Sequence, residues 1–568
     1  MKAQYTGLGR GYSGDQCSNR VARRACKEQI MKRWNGWGDE AIEAELKPEA
    51  LQFLAQRIGV GVAPPDATLA QACAGIPASR LPAHALVDTT PEARLRNSLG
   101  QSLPDWLKLR SGNVGTVSDG VAFPESSEQV RELLAYAHGC GAAVIPVGGG
   151  TSVVGHLTVP DGPQPVLSIN LSRLNALLNL DREAQLATFG AGVLGPDLEA
   201  QLRAQGYTLG HFPQSFEYST LGGWIVTRSS GQQSLRYGRI EQLFAGGRVE
   251  TPVGTFNVAT FPASAAGTDL RELVLGSEGR VGVLTEATVR ITPLPQREEF
   301  HTLFFPTWDQ AHDAVRAIAQ AKLPLSMLRL SNPIETLTTL TMAGHSTLIG
   351  LLETYLGWRG CGDQKCLLMI GASGQSDTVA HALQSAMRIA RGYQGVAIGQ
   401  FMGKKWKEGR FRNVYLRNAL WKEGYAVDTV ETACDWSRVT PMMHALEEAA
   451  THALAQSGER VHTYTHLSHL YAQGASVYTT FAFRLAGDFA TDLARWRSLK
   501  HAVSQAIVAV GGTISHQHGV GSDHAPYLAA EKGPLGISAM RSLFRHFDPS
   551  GMMNPGKLVG TDCGTGAL

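Results

Sequence analysis

Long apolar runs, excess charge and internal repeats are all missing from this chain. Nothing in its 568 residues approaches the ~20 apolar side chains that a bilayer-spanning helix needs. The N-terminus has no apolar core of a secretory leader. Lys and Arg number 51 against 49 Asp and Glu, a formal charge of +2, so there is no electrostatic footprint for nucleic acid. Cysteine is sparse and scattered (17, 26, 73, 140, 361, 366, 434 and 563). Only Cys361 and Cys366 lie close, at a spacing that no zinc knuckle uses, and reduced thiols in a cytosolic enzyme are expected. A Ser-Lys-Leu ending is absent too; the chain stops at Gly566-Ala-Leu568.

Glycine, by contrast, is plentiful. The 63 glycines sit in loops and not in a period, which excludes collagen-like and disordered readings. The N-terminal stretch is basic (Arg10, Arg20, Arg23, Arg24, Lys27, Lys32, Arg33), and a solvated helix face is expected there. The length suits about two or three domains. Residues 1–90 read as helical and polar, with Trp34-Asn-Gly-Trp-Gly38 as punctuation. Residues 91–295 alternate helix-like and strand-like segments. Residues 296–510 mix helices (307–321, 376–392, 440–457, 488–509) with strands (347–352, 366–371, 477–485), an antiparallel sheet with helices on one face. Residues 511–568 return to glycine-rich loops, with a last helix at 534–547.

The most informative loop is Pro146-Val-Gly-Gly-Gly-Thr-Ser152. It follows a buried-strand pattern, Ala142–Pro146, and a helix pattern capped by Ser126 or Ser127 with Val130, Leu133, Leu134 and Ala137 on one face. Consecutive glycines let backbone N–H groups approach a pyrophosphate. The spacing is neither Gly-x-Gly-x-x-Gly nor a P-loop, which disfavours both nucleotide motifs. Residues 210–231, 276–288 and 515–521 likewise combine glycine with small hydroxyl residues, a mixture suited to a large, flat, phosphate-bearing ligand.

In this order the motifs Pro-x-Gly-Gly-Gly-Thr-Ser, Gly-Gly-Trp-x-x-Thr-Arg-x-Ser-Gly and Gly-Ser-Glu-Gly-x-x-Gly-Val-x-Thr-Glu-Ala-Thr resemble the vanillyl-alcohol-oxidase type of FAD-binding family. Within it, the chain is most similar to the alkyldihydroxyacetonephosphate synthases, through Trp34–Gly38, Tyr237-Gly-Arg-Ile-Glu241, His466-Leu-Ser-His-Leu-Tyr471 and Ala475-Ser-Val-Tyr478. The resemblance implies an α+β architecture, a two-subdomain FAD-binding fold (PCMH type) plus an α+β cap with an antiparallel sheet. It implies FAD held by Pro146, Val147, Gly148, Gly149, Gly150, Thr151 and Ser152; by Gln214, Ser215, Phe216, Glu217, Tyr218, Ser219 and Thr220; by Thr227, Arg228, Ser229 and Ser230; and by Glu278, Gly279, Arg280, Val281, Gly282, Val283 and Leu284. The family's substrate-binding arginine matches Arg417, its sensitive arginine Arg329, and its catalytic tyrosine Tyr478. His516, His518 and His211 match its active-site histidines, with Gln517 where a further histidine is usual. The implied reaction replaces the acyl group of acyl-dihydroxyacetone phosphate by a fatty alcohol through flavin N5, with no net oxidation. A lipid substrate, a homodimer and a peripheral membrane contact follow as expectations.

From the residues alone, His516 and His518 at i, i+2 would share one strand face, and with only two ligands local no metal is expected. Arg417, near Arg410 and Arg412, reads as a solvated face or a salt bridge. Tyr478 as a base requires a neighbouring histidine or arginine that lowers its pKa from the ordinary value of ~10. The rival reading is a FAD-dependent D-2-hydroxy-acid dehydrogenase, which shares the Asn554–Lys557 ending. Such enzymes carry two histidines seven residues apart, but here Gln473 stands seven after His466. A non-catalytic flavin-binding protein is the third reading.

Overall fold

The computed structural model describes residues 32–344 and 347–560. The basic residues before Lys32, three of the cysteines (17, 26 and 563) and the C-terminal tripeptide lie outside them.

Three larger sheets organise the described residues, beside a two-stranded one of Tyr207–Thr208 and Thr292–Pro293. A four-stranded sheet runs Val87–Asp88, Gly120–Ala122, Val166–Asn170, Ala143–Val147, and its last three strands are parallel. The helix Ser127–Gly139 feeds it, capped by Ser126, whose hydroxyl accepts from the Gln129 N–H. Its Val130, Leu133, Leu134 and Ala137 pack on Val144, Leu167 and Ile169. An antiparallel five-stranded sheet follows, in the order Leu177–Asp181, Leu186–Gly190, Val283–Arg290, Phe244–Thr251, Gly254–Val258.

The third sheet has seven strands, all antiparallel: Val396–Gly399, Arg297–Phe305, Cys366–Gly374, Met327–Ser331, His462–Leu467, Gly474–Arg484, Tyr425–Asp435. The helices Trp308–Gln320, Ser376–Gly392, Trp436–Ala453 and Phe489–Val510 share one apolar core with Leu328, Leu330, Leu368, Val477, Phe481 and Phe483 of this sheet. Because side chains alternate along a strand, Arg329, His466, Tyr478 and Glu431 stand on the opposite face. The architecture is thus α+β, with an antiparallel cap.

One element differs in type from expectation. The run at 347–352 is not a strand but the start of a helix, Thr347–Trp358. A short apolar run carries no period that separates the two; here Leu352 and Leu356, at i, i+4, turn inward, and Leu348 and Leu351 outward. The expected last helix, 534–547, is present; a short helical stretch from Leu528 precedes it, parted from it by a break at Gly533 (φ 66°) ahead of Pro534.

Candidate functional site

The strand register builds the polar centre. Glu431 lies opposite Tyr478, Tyr478 opposite His466, and His466 opposite Ser331, so four strands place one row of side chains across the sheet. The His466 ring stacks on Tyr478 (centroids 4.7 Å apart, 15° between planes). His518 meets the other side of Tyr478 edge-on at 5.6 Å. The Tyr478 hydroxyl donates to Thr429 Oγ1 (3.2 Å).

One end of the row is pinned by an ion pair. Asn332 caps the helix Pro333–Ala343 and accepts from the Glu335 N–H. That places the Glu335 carboxylate to accept from Arg329 Nη2 (2.7 Å) and to meet His466 Nδ1 (3.0 Å). Burial opposes ionisation of Glu335, but Arg329 and His466 outweigh it and hold the carboxyl well below its usual range. Arg329 is thereby committed to fixing the ring that supports Tyr478.

Tyr478 itself is pushed up, not down, because burial penalises the phenolate more than the Thr429 hydrogen bond helps it, and the charges of Glu431 and Asp428 push the same way as burial. The expectation of a lowered tyrosine is therefore corrected: the phenol stays protonated and works as a donor. His518 is lowered by burial against the pull of Glu431, and burial with Arg239 and His469 nearby drives His211 down to about 3. Both rings are neutral near pH 7. His211 packs on Trp224 and lies 3.3 Å from Ser229 Oγ.

His516 and His518 do not share a strand face. Residues 511–520 form no strand, and the two rings diverge. His516 Nδ1 donates to Glu431 Oε1 (2.8 Å), and its Nε2 accepts from Tyr471 and Arg239, whereas His518 faces Tyr478. The pair also gains partners that local sequence hides. Glu431, His469 and His516 bring ligand-type atoms within 4.8 Å of one another.

Arg417 is not a solvated side chain, and among the described residues no carboxylate pairs with it. It projects from the helix Leu416–Lys422, lies over the Trp106 ring (4.2 Å to the centroid) and donates to the Gln101 carbonyl. Its Nη2 is buried without a hydrogen-bond partner among the described residues. Burial lowers it to about 10, so it remains a cation poised for an anion. Trp37 and Asn418 exchange hydrogen bonds, and a Cβ on Gly38 would strike the Tyr415 ring at 2.4 Å. The Trp34–Gly38 segment thus braces the helix that aims Arg417.

The glycine loop lies against the 214–220 loop. A Cβ at Gly148 would sit 2.4 Å from Thr220 Oγ1, and one at Gly149 1.6 Å from the Tyr218 carbonyl. Loop-to-loop packing, more than direct room for a ligand, is why glycine stands at 149. Thr220 caps the short helix Leu221–Val226, and Phe216 packs among Phe212, Trp224 and Phe411. In the 278–284 segment the side chains turn elsewhere. Glu278 accepts from the Val520 and Gly521 N–H groups, Arg280 lies over Phe544, and Val281, Val283 and Leu284 enter apolar cores. Only backbone is left there for a ligand.

Sequence reading missed Lys32. Its ammonium donates to the Gly149 carbonyl (2.6 Å) and is lowered by burial, then by Arg96, to about 8. It has no carboxylate partner among the described residues. A buried cation on a glycine loop, with no carboxylate opposite it among the described residues, suits a diphosphate. Loop, threonine cap and lysine fit the diphosphate of FAD.

Comparison with known proteins agrees. A family model described as FAD binding domain matches residues 118–259, and one described as FAD linked oxidases, C-terminal domain, matches residues 294–558. An alkyldihydroxyacetonephosphate synthase of Dictyostelium discoideum is 32% identical over 83% of this chain and 78% of its own length. A mitochondrial cytochrome-linked D-lactate dehydrogenase of Arabidopsis thaliana is 26% identical over 78% of this chain and 74% of its own. A solved alkyldihydroxyacetonephosphate synthase structure superposes with a TM-score of 0.79 at 28% identity, covering 92% of this chain and 98% of that one.

Proposed function

The chain belongs to the alkyldihydroxyacetonephosphate synthase family of FAD-linked enzymes, and from that premise we propose that it exchanges the acyl group of acyl-dihydroxyacetone phosphate for a fatty alcohol. When bound, FAD would supply a nucleophilic ring nitrogen for exchange at substrate carbon C1 without net oxidation. The glycine loop 146–152, the 214–220 loop and Lys32 hold the diphosphate, and the 227–230 and 278–284 segments offer backbone to the rest of the cofactor. Residues 91–295 form the cofactor unit and 296–510 the cap.

The observation that carries the reading is the row Glu431–Tyr478–His466 beside a lone buried guanidinium. Tyr478 donates and recovers a proton at the substrate, and neutral His518 beside it accepts one. Arg417 turns its unpartnered Nη2 to the substrate phosphate. Arg329 and Glu335 act through His466, keeping the Tyr478 ring in place.

Long-chain substrates reside in bilayers. Among the described residues no helix is long and apolar enough to cross one. Peripheral contact is supported by the helix Thr347–Trp358, on which Leu348, Leu351 and Trp358 stand exposed.

Purified yellow protein should convert palmitoyl-dihydroxyacetone phosphate and hexadecanol to the ether product and release palmitate. Bleaching by D-lactate, with no ether formed, would transfer the assignment to a D-2-hydroxy-acid dehydrogenase. In the same assay Arg417→Lys keeps the charge but loses the fork; KM for the phosphate substrate should rise about tenfold, the worth of one charge-assisted hydrogen bond, while flavin content is unchanged. Unaltered kinetics would remove Arg417 from the substrate site.

A further inference from the structure

Arg417 can serve the substrate phosphate, as the reading above requires and on which this inference rests, only if something holds its guanidinium ready between turnovers. A long side chain loses much rotamer freedom when it is fixed in place. The usual anchor is a carboxylate, and none pairs with Arg417 among the described residues.

The anchor is an indole. Ser102 and Asp105 close a capping box at the start of the helix Leu103–Ser111. In its first turn Trp106 is fully buried. Two guanidiniums lie over the Trp106 ring, Arg417 at 4.2 Å from the centroid and Arg110 at 5.1 Å. They differ in one respect. Arg110 Nη1 donates to Asp66 Oδ2 (2.6 Å), and Trp421 gives it a second aromatic face at 5.1 Å. Its charge is met inside the protein. Arg417 has the indole and the Gln101 carbonyl, and its Nη2 is left over among the described residues.

Gln101 sets the indole in turn. Its Oε1 accepts from Trp106 Nε1 (2.8 Å), and its Nε2 donates to the Gly36 carbonyl (3.3 Å). An indole N–H only donates and a carbonyl only accepts, so the amide has one orientation that satisfies both. The Gln101 carbonyl accepts from Arg417 Nη1, and its N–H donates to the Ser152 carbonyl (2.6 Å). Ser152 ends the glycine loop, and Gly100 lets its carbonyl come near: a Cβ at Gly100 would lie 2.8 Å from that oxygen. One residue thus locates Arg417 against the cofactor loop.

We propose that Trp106 is the positioning residue of Arg417, and that Gln101 fixes Trp106 and registers both on the glycine loop. A cation–π contact suits this work. It attracts the guanidinium over the ring without using its N–H groups. The donors stay free for a phosphate, and the charge is not cancelled. A carboxylate in the place of the indole would take both. Trp106 and Gln101 act on the substrate only through Arg417.

The test is a double-mutant cycle on the flavin-loaded full chain with palmitoyl-dihydroxyacetone phosphate and hexadecanol. Trp106→Leu should raise KM for the phosphate substrate about tenfold, in the range of a desolvated cation–π contact. Its kcat and flavin content should stay within about twofold of wild type. Trp106→Phe, which keeps an aromatic face, should recover most of the loss. In an Arg417→Met background no cation is left to hold, and Trp106→Leu should change KM by less than about twofold. Gln101→Met keeps the side-chain volume but loses both side-chain hydrogen bonds. It should raise KM about threefold, again only while Arg417 is present. A Trp106→Leu protein that melts lower with unchanged KM reduces Trp106 to core packing and overturns the proposal. So does a KM that rises equally with and without Arg417. If Trp106→Leu gives no folded yellow protein, the Gln101→Met pair decides by the same rule. An Arg417→Met protein with wild-type KM, or a wild type that forms no ether, fails the parent reading and this proposal with it.

Discussion

Tyr478→Phe should leave the protein folded and yellow yet cut turnover by at least ~10², the low end for loss of a proton-transferring group. The ring is held by stacking on His466 at 4.7 Å and by the edge-on contact with His518 at 5.6 Å, and Phe preserves both. What disappears is the hydroxyl and its 3.2 Å hydrogen bond to Thr429. Because burial keeps the phenol protonated, Tyr478 serves as a donor that is refilled, with His518 as the partner that accepts. Wild-type turnover should therefore show no limb belonging to a tyrosine below pH 9. Single-turnover ether formation with matched flavin content decides the point. A rate within twofold of wild type would take the hydroxyl out of the chemistry and make a histidine the working group.

Gly149→Val should abolish flavin retention. A Cβ there would lie 1.6 Å from the Tyr218 carbonyl carbon's oxygen and 3.0 Å from the Ser219 Cα. Both atoms are backbone, so no rotamer change relieves the overlap, and the two loops must part. Their separation also draws the Gly149 carbonyl away from Lys32. The purified variant should be colourless, with near-native circular dichroism and a lower melting temperature that added FAD does not restore. Full flavin absorbance after gel filtration would show that the loop pair is not the diphosphate cradle.

Much of this was legible in the sequence where local rules govern. The helix Ser127–Gly139 has its serine cap and its apolar face. The helices at 308–320, 376–392 and 489–510 follow their periods closely. The glycine loop announced itself by composition, and the family by motif order. What stayed hidden depends on partners distant in the chain. Arg417 looked solvated because its neighbours in sequence are basic, yet Trp106, over 300 residues earlier, supplies its surroundings. Glu431 passed unnoticed because its importance comes only from the register with Tyr478 and from His516. The Tyr478 acidity was misjudged because burial, not charge, dominates it, and burial cannot be read from spacing. The run at 347–352 was misread because a short apolar segment fits helix and strand alike.

The cross-strand row has a consequence for how this enzyme can change over generations. Glu431, Tyr478 and His466 share a face only because three neighbouring strands keep their pairing. Substitutions along those strands alter one contact at a time. Loss or gain of a single codon between Gly474 and Tyr478 would instead rotate the tyrosine into the apolar core and bring a core residue to the reactive face. Drift in these strands is thus confined to replacement, and length variation is left to the loops beyond them.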